Sequence, residues 1–242
     1  MNVYYCNVGK FIKDTSFFDN NPGKYFQLID NERLEKIDRY KNHPDKVRAL
    51  FAGILIQLAL KDHLNKNYYT TSEAKLSEIL YPKDIIQVHY TPNAYGKPFI
   101  MSYPDFHFSL SHSGDYVALA SNDAPVGLDI QEEQNKKVFA ISARFFAPKE
   151  NELLESIADK EERLKMFYRI WSAKEAYIKY TGRGIYENLS SFTIDLEGKI
   201  VTDTVTNTTT GYLCEPLTLI RNSSVLCIGQ EIQNVNSINI IL

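Results

Sequence analysis

The stretch from Ala49 to Leu60 is the most apolar in the chain. It is interrupted only by the polar Gln57 and lies within a segment, Lys46 to Leu64, where Leu50, Phe51, Ile54 and Leu58 recur at helical spacing. A bilayer span needs roughly 20 apolar residues, so this run reads as a buried helix of a soluble protein, opened by Pro44 and Asp45. Such a helix has to be covered on its sides, and the chain has the material. Hydrophobic residues make up 44% of its 242 residues and aromatics 12%, with 16 Tyr and 13 Phe, which excludes disorder as the dominant state. The length suits one compact body better than two independent domains. A formal net charge of -3 argues against a dedicated nucleic-acid binder while leaving room for a local basic pocket. Cys6, Cys214 and Cys227 are odd in number and lack C-x-x-C spacing, which suits reduced thiols in a cytosol rather than a disulfide framework or zinc site. The start, MNVYYCNVGKF, has no basic segment followed by a long apolar run and is not expected to be a secretory signal.

Period-two alternation predicts strands over 1–8, 85–90, 106–113, 116–120 and 126–130, and strand-and-turn pattern continues over 192–196, 198–203, 212–219 and 225–232. Helices are expected over 46–64, 136–145, 148–157 and 160–180, with a shorter one within 72–80. Gly182 is placed to supply a left-handed cap. The segment 91–98, with Pro92, Gly96 and Pro98, and the segment 121–125 read as turns. The class is α+β, divided near Asn122 to Ala124 into an N-terminal half, 1–123, and a C-terminal half, 124–242.

Four groups of residues carry the chemistry. On the strand from Val126, the residues Val126, Leu128 and Ile130 point one way and Gly127, Asp129 and Gln131 the other, with a glycine that lets something approach the backbone. A single aspartate there is more often solvent-facing or capping. In Trp171-Ser172-Ala173-Lys174-Glu175-Ala176-Tyr177-Ile178-Lys179, Trp171, Glu175 and Lys179 form one stripe of a helix, although Glu175 and Lys179 alone would be an ordinary i,i+4 ion pair worth about 0.2–0.5 kcal/mol. In Phe108-Ser109-Leu110-Ser111-His112-Ser113-Gly114 a histidine sits among three hydroxyls and a glycine at a strand end, a place suited to phosphate oxygens. Gly96-Lys97-Pro98 holds a lysine on a rigid turn.

Taken together and in this order, Gly96-Lys97-Pro98, the Phe108 to Gly114 segment, Val126-Gly127-Leu128-Asp129-Ile130 and the Trp171 to Lys179 segment resemble the Sfp-type 4'-phosphopantetheinyl transferases. The resemblance extends from roughly Asp30 to Phe192. It implies two similar α/β halves packed about a pseudo-twofold axis with coenzyme A bound between them. It also implies a Mg²⁺-dependent transfer, with Mn²⁺ as the alternative metal, of 4'-phosphopantetheine from coenzyme A to a serine of an apo acyl or peptidyl carrier protein, releasing 3',5'-ADP. By the same resemblance Asp129 and Glu175 bind the metal, Ser111 and His112 contact phosphates, and Lys97 approaches the 3'-phosphate region. Arg48, Arg33, Lys36, Lys174 and Lys179 are the further coenzyme A contacts. Asp129, Glu175 and Lys179 are the catalytic set, with Glu175 or a metal-bound water as base and Lys179 at the leaving group. The pathway served, whether fatty-acid, polyketide or nonribosomal-peptide, is left open.

Where the family often has a second carboxylate two residues after Asp129, this chain has Gln131. Its amide oxygen can coordinate a metal without adding charge, and Glu132 falls on the other strand face. The implied metal set is therefore Asp129, Gln131 and Glu175, with weaker binding than a three-carboxylate site. Carrier recognition is expected on Val138 to Phe146 and on the helix near Glu150, with Phe145, Phe146, Phe167, Ile170 and Trp171 mostly core. A metal-dependent phosphoester or pyrophosphate hydrolase and an inactive carrier-binding module are the alternatives. A cytoplasmic monomer with no membrane or nucleic-acid partner completes the expectation.

Overall fold

The computed structural model describes residues 1–20, 22–66, 72–134, 138–216, 223–232 and 234–242. The chain begins with β1 (Asn2–Asn7), α1 (Gly9–Lys13), α2 (Gly23–Phe26), α3 (Asn31–Asp38) and α4 (His43–Asn65). Next come β2 (Glu73–Lys75), α5 (Leu76–Ile79), β3 (Tyr90–Pro92), β4 (Pro98–Ile100), β5 (His107–Ser113) and β6 (Tyr116–Asn122). β7 (Val126–Glu132) leads to α6 (Phe139–Phe145), α7 (Pro148–Ser156) and α8 (Lys160–Thr181). β8 (Phe192–Asp195), β9 (Ile200–Asp203), β10 (Thr209–Cys214), β11 (Ser223–Gly229) and β12 (Asn236–Ile241) complete the mixed α+β chain. It forms two compact units, one of residues 1–92, 98–123 and 235–242, the other of 93–97 and 124–234.

In the first unit a five-stranded sheet runs in the order β2-β12-β1-β6-β5. β12 pairs parallel to both β1 and β2, whereas β6 is antiparallel to β1 and β5. α4 lies on β1 and β6. Its residues from Leu50 to Leu60 are all buried, as a helix apolar on every side requires. The polar Gln57 is buried there too, because its amide serves neighbouring groups. It donates to Asp30 Oδ2 at 3.2 Å and Ile86 O at 3.0 Å, and accepts from Ile86 N at 3.0 Å.

That amide also explains a departure from the expected strand over 85–90. The Gln57 side chain satisfies the Ile86 backbone where a ladder would have done so, and only Tyr90 to Pro92 pairs, with Pro98 to Ile100. The expected turn over 91–98 is thereby the tip and flanks of a hairpin. The helix expected within 72–80 is split between β2 and α5. β12 answers to no expected strand, although Ile238 and Ile240 alternate inward.

In the second unit the sheet is an antiparallel array, β7-β11-β10-β9-β8. α8 packs on β7 and β11 and buries Ala173, Ala176 and Tyr177 against Leu226 and Ile228. Asp159 caps its start, accepting from Glu161 N and Glu162 N at 2.9 Å, and Gly182, at φ 69°, closes its end. The expected helix over 136–145 is α6. Residues 136–137, and 217–219 of the expected strand over 212–219, lie outside the described residues.

Candidate active site

The sequence places glycine at 127 because α8 lies directly over it. A Cβ at Gly127 would sit 1.9 Å from Ala176 O and 2.6 Å from Tyr180 N. The approach expected at this glycine is thus made by the helix itself. It sets the stripe of Glu175 and Lys179 against the β7 face that carries Asp129. Lys179 Nζ lies 2.6 Å from Asp129 Oδ1, with the Asp129 carboxyl buried and Lys179 about one-third exposed.

Burial, and then the Asp129 charge, push the Glu175 carboxyl above its ordinary value, while Lys179 pulls it back. Two carboxylates and one ammonium therefore share this corner. Gln131 follows on the same face of β7, half-buried, with Ser224 of β11 opposite. Among the described residues no three or more His, Cys, Asp or Glu side chains cluster. The donor set fits magnesium, which takes oxygen ligands and commonly only one or two protein carboxylates beside substrate phosphates.

Lys174, expected at the cofactor, has its ammonium enclosed inside the second unit. Nζ lies 2.8 Å from Glu150 Oε2 and donates to Leu189 O at 2.8 Å and Phe192 O at 2.9 Å, with neither side chain of the pair more than 3% exposed. One step along a helix turns a side chain by about 100°, so Glu175 faces β7 and Lys174 the interior. Glu150, unassigned from sequence, also caps α7 through Ala147 N at 2.8 Å and accepts from Ile194 N at 2.8 Å. Lys97 Nζ donates to Val126 O at 3.0 Å and to Lys179 O at 2.5 Å.

In the first unit, Arg33 and Lys36 share a cavity of about 380 Å³ with Glu32, Arg39, Tyr40, Tyr90 and Pro98. Asp30 builds it. Fully buried, it caps α3 by accepting from Arg33 N at 3.0 Å and takes the Tyr90 hydroxyl at 2.9 Å. The Arg33 guanidinium lies 4.5 Å over the Tyr90 ring, and its buried Nε has no hydrogen-bond partner. Partial burial and the Arg33 charge hold the Lys36 ammonium below its ordinary value. An anion would relieve both. Arg39 joins them, and the spacing of three from Arg33 through Lys36 to Arg39 is the sequence signal that these cations share a helix face.

Arg48 reaches the β5–β6 hairpin, donating to Gly114 O at 2.9 Å and 3.3 Å, and pairs with Asp45 at 3.3 Å. It thus stands at the turn following His112. Ser111 and His112 fall on opposite faces of β5, Ser111 buried and His112 exposed. On the expected carrier-facing segment, Val138 and Phe146 are core, Phe146 stacking on Phe167 and Trp171. The large exposed apolar side chains there are Phe139 and Ile141, with Leu153 on α7.

Residues 125–220, which carry Asp129, Gln131, Glu175 and Lys179, match the model of the 4'-phosphopantetheinyl transferase superfamily. Psf-1 of Bacillus pumilus, a 4'-phosphopantetheinyl transferase, is 45% identical over 170 residues, covering 70% of this chain and 64% of its own. The transferase Sfp of Bacillus subtilis is 32% identical over 175 residues, covering 72% of this chain and 69% of its own. The mouse L-aminoadipate-semialdehyde dehydrogenase-phosphopantetheinyl transferase is 31% identical over 169 residues, covering 65% and 49%. The match thus spans about two thirds of the two bacterial relatives and half of the mouse one. The holo-[acyl-carrier-protein] synthase of Thermotoga maritima overlaps 45% of this chain and 63% of its own at a TM-score of 0.36 and 16% identity. The chain belongs to the 4'-phosphopantetheinyl transferase family.

Proposed function

We propose that this chain transfers 4'-phosphopantetheine from coenzyme A to a serine hydroxyl of an apo carrier protein. The serine oxygen forms the new bond to phosphorus, the pyrophosphate P–O bond breaks, and 3',5'-ADP leaves. The observation that carries the reading is the juxtaposition of Asp129, Glu175 and Lys179 across β7 and α8, in a chain of this family.

The Arg33–Lys36–Arg39 cavity and Arg48 are the cationic groups for the nucleotide and its phosphates, with His112 exposed on the neighbouring hairpin. Asp129 and Glu175, with the Gln131 amide oxygen, would hold Mg²⁺ or Mn²⁺. When bound, such an ion neutralises charge on the pyrophosphate and polarises the attacked phosphorus. Glu175, its carboxyl raised chiefly by burial, is suited to accept the serine proton. Lys179 is suited to offset charge on the departing nucleotide. Among the described residues no helix is long and apolar enough to cross a membrane, and three free cysteines accord with a reducing cytoplasm. The reading is of a cytoplasmic monomer without a nucleic-acid or membrane partner.

The test is intact-mass spectrometry of apo acyl and peptidyl carrier proteins incubated with the chain, coenzyme A and Mg²⁺. A gain of one phosphopantetheinyl group, lost with EDTA and with Glu175→Ala, is expected. Cleavage of coenzyme A with the carrier unchanged would make the chain a hydrolase, and carrier binding without either would make it a binding module.

A further inference from the structure

The tip of the β3–β4 hairpin is built to grip the end of α8. Asn93 organises it: Oδ1 accepts from Tyr95 N and Lys97 N, both at 2.9 Å, and its backbone N–H donates to Lys97 O at 2.8 Å. Gly96, at φ 92°, supplies the left-handed step. Two donors leave this frame toward α8. Asn93 Nδ2 reaches Gly182 O at 3.0 Å, and Lys97 Nζ reaches Lys179 O at 2.5 Å.

A helix end leaves its last carbonyls without intrahelical partners. Here Gly182 N and Thr181 Oγ1 serve Ile178 O at 3.0 and 3.1 Å, while Lys97 serves the next carbonyl, that of Lys179. The fit also needs Gly182 bare, since a Cβ there would come within 2.9 Å of Asn93 Nδ2 and 3.3 Å of Lys97 Cδ. The second bond of Lys97, 3.0 Å to Val126 O, falls on the first residue of β7. A single ammonium is therefore bonded to both elements of the site. Lys97 Nζ holds Lys179 O, Lys179 Nζ meets Asp129 Oδ1, and β7 leads from Asp129 back to Val126 O, closing a ring of contacts.

We infer that Lys97 is a positioning residue, fixing the end of α8 against β7 so that Lys179 and Asp129 stay in register, and not a contact to coenzyme A. With two of three donors committed to carbonyls, the ammonium has one N–H left for any phosphate. Its enclosure agrees: burial first, and the Lys179 charge second, hold its pKa down to about 8.

The inference rests on the transferase reading, and the two fail differently. Absence of transfer by the wild-type chain with every carrier defeats the reading, whereas the clamp is judged by variants of an active chain. The experiment compares steady-state transfer against coenzyme A concentration, with melting curves, for wild type, Lys97→Met and Asn93→Ala. Asn93→Ala keeps the lysine but loosens the turn that aims it, and it carries the test alone should Lys97→Met not fold. The expected result is a kcat lower by about ten-fold or more for Lys97→Met and a smaller loss for Asn93→Ala, each with KM for coenzyme A within about two-fold of wild type. A KM raised ten-fold at unchanged kcat would assign Lys97 to coenzyme A and overturn the inference. A lowered melting temperature with kcat intact would also overturn it, making the contact merely structural.

Discussion

Lys179 Nζ stands 2.6 Å from Asp129 Oδ1, joining the last turn of α8 to the middle of β7. The Asp129 side chain is only 4% exposed, so the Lys179 ammonium and not water is its neighbour on that side. Lys179→Met should lower kcat by about 10²–10³-fold, the usual effect of removing one preorganised charge-stabilising group. A carrier-modification time course checks this, read beside a melting curve that shows the variant folded. A rate within two-fold of wild type would take Lys179 out of the chemistry.

Gly127→Ala places a Cβ where Ala176 O already lies, 1.9 Å away. Backbone cannot swing aside as a side-chain tip can, so α8 must lift off β7. The expected loss is at least about 1–3 kcal/mol, measured by urea denaturation, together with most of the transfer activity. Ala substitution without loss of either would mean that α8 does not approach β7 so closely.

Glu150 and Lys174 form a pair sealed inside the second unit, where burial pushes the glutamate up and the lysine down from their ordinary values. Breaking it by Glu150→Ala leaves an ammonium buried with only two carbonyls and should cost about 3–5 kcal/mol. The double variant Glu150→Leu with Lys174→Met should recover part of that loss, because neither charge then remains buried. Denaturation midpoints of the two proteins decide it.

Gln131→Glu should tighten Mg²⁺ by adding a third carboxylate to the face that carries Asp129. Isothermal titration of the metal against both proteins reads the change directly, and an unchanged affinity would place residue 131 outside the coordination sphere.

Several features of the site were legible in the sequence because they are local. Alternation along β7 places Asp129 and Gln131 on one face, and helical spacing places Glu175 and Lys179 on one stripe. The Asp159 and Gly182 caps bound α8. Lys174 was not legible in the same way. One short motif can turn one residue toward the candidate site and its neighbour toward the interior, and only the packing of α7 and β8 against α8 distinguishes them. Tyr90 likewise joins the cationic cavity only through the Asp30 side chain that holds its hydroxyl, whereas Arg39 follows Arg33 and Lys36 at a local helical spacing of three.

The sequence alone determined the α+β class, the buried helix around Leu50 to Leu60, and the strand and helix that carry the candidate residues Asp129, Glu175 and Lys179. Those follow from periodicity and capping, which act within a few residues. The tertiary structure decided the rest: β12 beside β1, Gln57 standing in for a strand at Ile86, and Lys97 on the carbonyls of Val126 and Lys179. Each of these joins groups distant in sequence, and each exists because a buried backbone or carboxylate group must find a partner wherever the fold brings one.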